Sequence, residues 1–473
     1  MGIGRDILYG LGAAATAPLW GSRLLKTGKW KTDWPARLGR HPATDLATDA
    51  RPTKRLLLYG VSVGEVNAIR HLVRQLSGHA NLQLVIAAAT DTGLARAEAL
   101  YGQHHTVLRF PYDFSFAVRG FLDVVRPDAV ALVELEVWPN FIDACTARNI
   151  PVAVVNGRLS ARSFGRYRKV KRLVAPSFAQ LAAAAVQTQD YARRFIELGV
   201  PEDRVVVTDS MKWDNTPVLT ADADVDQAPP PEAAALGRAL GIDPAKPLVV
   251  AGSTAPGEER LLLERRPPGT QVLIVPRKPE WFDAVAKAMA RFGPLTRRSD
   301  AATDHHSPRP RPTADPEADP HPGAADSPGP ELFLLDSMGE LAQAYRLADV
   351  AVVGRSFLGN LHGSDMMEPV AMGRPTVIGP FHSDFAEAAR ALADAGGLII
   401  SGDPMGTAVE LLHNPKLAAE VAAAGRGVIL SRQGATTRTA GLLRDLLQLG
   451  PADVASAAEA PEVAGRADPT LPP

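Results

Sequence analysis

Cysteine is almost missing from this 473-residue chain, where Cys145 stands alone. One thiol cannot close an internal disulfide, so a disulfide-stapled scaffold is excluded and a reducing compartment fits. Cys145 falls in an apolar helical pattern, the setting of a buried structural thiol rather than of a nucleophile. The histidine pairs His104-His105 and His305-His306 lack the spaced partners of a zinc site, so no metal is expected. Net charge is missing too: 51 basic residues against 52 acidic ones leave -1, which excludes a general nucleic-acid surface. No strand end carries an Asp-x-Asp motif. The chain is too long for one core, and two domains are the natural division.

The first forty residues differ from the rest. Ile7 to Trp20 is apolar and nearly uncharged, yet at about fourteen residues it falls short of the roughly 20 that span a bilayer. Arg23, Lys26, Lys29, Lys31, Arg37 and Arg40 follow it, opposed only by Asp33. A cleavable signal carries its charge before the apolar stretch, not after it. Residues 1–22 are therefore expected to form a membrane-associating helix, its cations on anionic headgroups. The alternative is a helix packed on its own protein.

From Arg55 onward, short apolar runs alternate with helical patterns. Leu56 to Tyr59, Leu82 to Ala89, Thr106 to Phe110, Ala129 to Leu135, Pro151 to Val155 and Ala184 to Gln187 read as strands, with a helix from Glu65 to Leu76. The pattern lapses at 221–232, a linker composition, and then restarts. Pro247 to Ala251, Gln271 to Val275, Leu332 to Leu335, Val350 to Val353, Pro375 to Ile378 and Leu398 to Ile400 are the second set. Repeated strand–crossover–strand units specify parallel sheets covered by helices, an α/β class with two Rossmann-like domains, 23–220 and 233–450. The Pro-, Asp- and Ala-rich stretch 297–330 reads as a disordered insertion and 451–473 as a disordered tail.

Ligands of such sheets bind beyond the carboxyl ends of strands. Ser62-Val63-Gly64-Glu65 follows the first strand, and Glu65 falls in the first turn of a helix. There it either complements the helix dipole or serves as a general base. Glu134 and Glu136 end the fourth strand of the first half, two apart and so on one face, before Pro139 opens a helix. Acids ending an apolar strand are costly unless solvated, paired or used. In the second half, Pro276-Arg277 ends a strand where a guanidinium suits a phosphate. Asp336-Ser337-Met338-Gly339-Glu340 offers backbone N–H groups to an anion. A glycine-bearing loop from Gly354 runs through Gly363 to Glu368, which is placed to accept a ribose diol.

Five stretches make a family likeness explicit: LLLYGVSVGEVNA, FPYDFSFAVRGFLDVVRPDAVALVELEVWPNFI, PVAVVNGRLSARSFGRYRKV, VPRKPEWFDAV and LLDSMGELAQAYRLADVAVVG. The chain resembles the 3-deoxy-D-manno-octulosonic acid (Kdo) transferases of lipopolysaccharide synthesis. The likeness runs from the N-terminal segment, with WPARLGR, to about residue 448, the insertion excepted. It implies a GT-B fold, two Rossmann-like domains facing across a cleft. It also implies an inverting, metal-independent transfer of Kdo from CMP-Kdo to a lipid A precursor, with no cofactor, at the cytoplasmic face of the inner membrane. In that frame Glu65 is the base and Glu134 or Glu136 supports the acceptor or the transition state. Pro276, Arg277, Met338, Gly339, Glu340 and Glu368 bind the CMP portion, and Lys212, in TDSMKWD, matches a lysine of the family's site.

The chain departs from the family's GGHNPLEP, where Ser364-Asp365 replaces the His-Asn pair and brings Asp365 into the donor motif. Asp384 replaces the Asn of a later NFAE stretch, and TDSMKWD stands for TGNLKFD. Added carboxylates beside a bound anion are unfavourable unless paired or protonated. Two rival functions therefore remain: transfer with another nucleotide sugar or envelope lipid, and a non-catalytic membrane-associated binding protein. The number of Kdo units and the oligomeric state are not encoded in these motifs.

Overall fold

The computed structural model describes residues 4–7, 9–12, 16, 32–41, 54–214, 229–303 (301–303 in backbone only) and 331–450. It divides into two compact units, Met1–Asn215 with Arg432–Val463, and Thr216–Ser431 with Ala464–Pro473.

The first unit is built on strands β1 (Lys54–Gly60), β2 (Leu82–Ala88), β3 (Thr106–Arg109), β4 (Ala129–Val133), β5 (Val152–Gly157), β6 (Ala183–Val186) and β7 (Val205–Val207). They lie in the order β3-β2-β1-β4-β5-β6-β7, every pair parallel. Continuous apolar runs form these strands because helices cover both faces of the sheet. In β1, Leu57 and Tyr59 join one core with Phe110, Phe121 and Phe141, while Leu56 and Leu58 join another with Val66, Leu72 and Ile86. Strand order reverses between β1 and β4, and a doubly wound sheet opens its ligand crevice at such a point.

The second unit repeats the plan with β8 (Leu248–Thr254), β9 (Gln271–Pro276), β10 (Leu295–Arg297), β11 (Leu332–Leu334), β12 (Val350–Val353), β13 (Thr376–Ile378) and β14 (Ile399–Ile400). The order is β10-β11-β9-β8-β12-β13-β14, again all parallel, and the switch point falls between β8 and β12.

Several expectations need correction. The second domain was expected to run to residue 450, but from Arg432 the chain belongs to the first unit. The helix Ala435–Leu447 buries Ala435, Ala440, Leu443 and Leu447 beside Leu56 and Leu58. Asp214 fixes its start by accepting the N–H groups of Gly434 at 2.7 Å and Thr436 at 2.5 Å, two donors that a helix N-terminus leaves open. The insertion was expected to begin at 297, yet Leu295–Arg297 is a strand and Arg298–Thr303 a helix. Asp336 holds this turn, taking the Ser299 N–H at 2.8 Å and the Arg297 guanidinium at 2.8 Å. The rest of the insertion (304–330), most of the linker (221–228) and the tail (451–473) lie outside the described residues. The single helix expected from Glu65 to Leu76 is two, Val63–Ala68 and Arg70–Ser77, meeting at Ile69.

Of the N-terminal segment, residues 4–7 and 9–12 are helical. Arg5 pairs with Asp143 at 2.5 Å, Asp6 accepts the Ser115 N–H at 2.9 Å, and Tyr9 donates to Asp113 at 3.1 Å. This docked stretch leaves Ile7 and Leu11, one turn apart, 58% and 65% exposed. Among the described residues no helix is long and apolar enough to cross a membrane.

Candidate active site

At the switch point of the first sheet, Gly60 ends β1 and the chain turns through Val61 and Ser62 into the helix Val63–Ala68. Glu65 reaches back to the turn. Its Oε2 accepts the Val61 N–H at 2.8 Å and its Oε1 accepts from the Ser62 hydroxyl at 3.0 Å. This resembles a capping box shifted by one residue, so the helix-terminal role is real. The carboxyl is nevertheless pushed up to about 7, mainly by burial and further by the charges of Glu134 and Glu136, against the two hydrogen bonds. A carboxyl that gains and loses its proton near neutral pH is suited to general-base work.

Glu134 and Glu136 were expected on one face of a strand. The structure corrects this: β4 stops at Val133, and Glu134 takes a left-handed backbone with φ 64°. That turn lets the chain leave the sheet while the Glu134 N–H still bonds Val155 O at 3.0 Å. Glu136 accepts the Trp138 indole N–H at 2.8 Å and interacts with the Tyr59 hydroxyl. Burial and the neighbouring Glu134 charge raise its pKa. Tyr59 is stacked on Phe110 at 3.5 Å, and burial with Glu136 and Glu65 holds its phenol protonated. The structure thus brings Glu65 and Glu136 to Tyr59, with Glu134 close enough for its charge to act on both acids. Lys212 is half-buried in a loop held by Asn156, whose Oδ1 accepts the Met211 N–H at 3.1 Å.

A cationic surface adjoins this cluster. The helices Ala161–Lys169 and Lys171–Ala179 carry exposed Arg162, Arg166, Arg168, Lys169, Lys171 and Arg172 and no acid. Exposed Val170 and Leu173 stand among them. Tyr167 of the same stretch feels the charge of Glu136, which, after burial, raises its pKa.

In the second unit, Pro276 is buried at the end of β9, and exposed Arg277 follows, its N–H on Thr254 O at 2.9 Å. Its guanidinium forms no ion pair with another described residue. Gly339 adopts φ 90° and Met338 is 48% exposed, so this turn presents backbone to solvent. Glu340 is engaged: Arg298 pairs with it at 3.3 Å and Ser337 donates to it. Asp365 accepts the Met367 N–H at 2.9 Å and lies close enough to Glu368 that its charge, after burial, raises the pKa of Glu368.

Sequence reasoning missed Glu258. One per cent exposed, it accepts the N–H groups of Ala255 at 2.9 Å, Arg355 at 2.7 Å and Phe357 at 3.1 Å. It thereby ties the loop after β8 to the loop after β12 across the switch point. The signal was present, since Gly257-Glu258 after β8 echoes Gly64-Glu65 after β1. Tyr59 and Trp138 were also passed over, because each looks like ordinary core or surface aromatic until the carboxylates are placed.

Comparison with known proteins gives the arrangement its class. Residues 32–215 match the family described as 3-deoxy-D-manno-octulosonic-acid transferase. The 3-deoxy-D-manno-octulosonic acid transferase of Haemophilus influenzae is 29% identical over 84% of this chain and 88% of its own length. That of Bordetella pertussis is 29% identical over 94% of this chain and the whole of its own. A glycosyltransferase structure from Rickettsia africae aligns with a TM-score of 0.50 over 84% of this chain and all of that one, at 11% identity, a likeness of fold alone. The chain is a glycosyltransferase. More particularly, its N-terminal part matches the Kdo transferase family model, and the chain is similar to Kdo transferases over most of its length.

Proposed function

We propose that this protein moves Kdo from CMP-Kdo to a hydroxyl of a lipid A precursor, with inversion and without a metal. The observation that carries the reading is Glu65, a carboxyl at a switch point with its pKa raised to about 7, in a chain similar to the Kdo transferases. The acceptor hydroxyl gives its proton to Glu65 as its oxygen attacks the anomeric carbon of Kdo. The bond from that carbon to the phosphate oxygen breaks, and its electron pair leaves with CMP. Burial, helped by the charges of Glu134 and Glu136, keeps the Glu65 proton affinity high, while Arg277 and the Met338-Gly339 turn meet the phosphate charge. Glu368 completes the ribose contact.

The test is turnover with CMP-Kdo and with UDP-sugars against a lipid A precursor, with and without chelator. Transfer from CMP-Kdo alone, unaffected by chelator, is the expected result. Transfer only from a UDP-sugar favours the other-donor reading, and no transfer with retained nucleotide binding favours the binding-protein reading. Replacing Arg277 by alanine is expected to weaken CMP binding about tenfold to a hundredfold, the worth of a charge-assisted contact. Calorimetry checks this, and unchanged affinity removes Arg277 from the donor site.

The reading places the enzyme on the cytoplasmic face of the inner membrane. The acid-free cationic helices beside the carboxylate cluster, with Val170 and Leu173 exposed, favour an anionic lipid surface. Wild-type protein is expected to co-sediment with phosphatidylglycerol vesicles and not with phosphatidylcholine vesicles. The pair Lys169→Ala and Lys171→Ala is expected to weaken that binding about tenfold to thirtyfold at low salt, at about 1 kcal/mol per cation. Equal binding to both vesicle types contradicts the placement.

A further inference from the structure

Arg355 sits where an arginine is unwelcome. It follows β12 by two residues at the switch point of the second sheet and has a left-handed backbone, φ 59°. An L side chain is strained there and glycine is not. Strain of this kind persists where the surroundings impose it, and it gathers at binding sites. Here the surroundings impose it fully. The Arg355 N–H donates to buried Glu258 at 2.7 Å, its carbonyl accepts the Gly363 N–H at 2.8 Å, and Gly354 N–H bonds Gly252 O of β8 at 2.8 Å.

The side chain has little structural use to set against that strain. It is half-buried, and among the described residues it forms no ion pair and makes one bond, to Leu361 O at 3.0 Å. It is also the only lysine or arginine between Gly354 and Pro369, the stretch that carries Asp365 and Glu368. A site that receives a nucleotide phosphate beside two carboxylates needs a cation nearby, and this loop has one.

We propose that Arg355 binds the phosphate of the donor, held in its strained conformation by the buried Glu258 carboxylate. The inference rests on the CMP-donor reading. Its test is calorimetric titration of the full chain with CMP and with UDP, for wild type, Arg355→Gly, Arg355→Gln and Arg355→Lys. Glycine relieves the backbone, so that variant is expected to melt at or above the wild-type temperature while losing about tenfold or more in CMP affinity. Glutamine keeps an N–H donor for Leu361 O without the charge and is expected to lose as much, whereas lysine retains part of the affinity. A glycine or glutamine variant that binds CMP within about twofold of wild type overturns the assignment. Should the glycine variant fail to fold, the glutamine variant decides. Wild type that binds UDP and not CMP refutes the donor reading, and Arg355 is then scored on UDP. Wild type that binds neither refutes both.

Discussion

Glutamine at position 65 is expected to slow single-turnover transfer by about 10²- to 10⁴-fold with CMP affinity unchanged, the range that a general base contributes. The substitution keeps the side-chain shape, and one amide oxygen still accepts from the turn at Val61 and Ser62. Stability is a separate readout with its own sign. Because the folded protein holds the Glu65 proton up to about pH 7 and the unfolded chain releases it near 4.5, stability from this group is full below about 4.5. It is lost as pH rises to about 7. Relative to wild type, the glutamine variant should therefore gain melting temperature across that interval. If Glu65 served only the helix dipole, the variant would cost about 0.3 to 1 kcal/mol and transfer normally.

Replacing Glu258 by alanine is expected to cost about 3 to 6 kcal/mol of folding stability. Three backbone N–H groups lose their acceptor at once, in a place where water does not replace it, at about 1 to 3 kcal/mol each before relaxation. That is a large share of the roughly 5 to 15 kcal/mol that holds a typical domain folded. Urea unfolding of the variant measures it, and a loss below about 1 kcal/mol contradicts the claim that this carboxylate organises both loops.

The sheets were legible in the sequence because strands buried on both faces must be apolar throughout, as Leu56 to Tyr59 and Val350 to Val353 are. The two missed strands, Val205–Val207 and Leu295–Arg297, are edge strands of three residues, partly exposed, with too little burial to mark them. The end of β4 was misjudged because Glu134 takes a left-handed turn that no residue type before it announces. Likewise, composition alone did not show that Asp214 would cap a helix more than two hundred residues away. Glu65, Glu134 and Glu136 were found because acids at the ends of apolar strands are conspicuous. The same test, applied to Gly257-Glu258, finds the carboxylate that was overlooked.

The central claim is that Glu65, with its proton affinity raised by burial and by neighbouring acids, takes the acceptor proton. The measurement that bears on it most directly is the pH dependence of single-turnover transfer at saturating CMP-Kdo, for wild type and Glu65→Gln. The account predicts a wild-type rate that rises about tenfold per pH unit and levels off above about 7, and a glutamine variant without that limb. A limb of the same midpoint that survives in the glutamine variant would contradict it and move the base to Glu134 or Glu136.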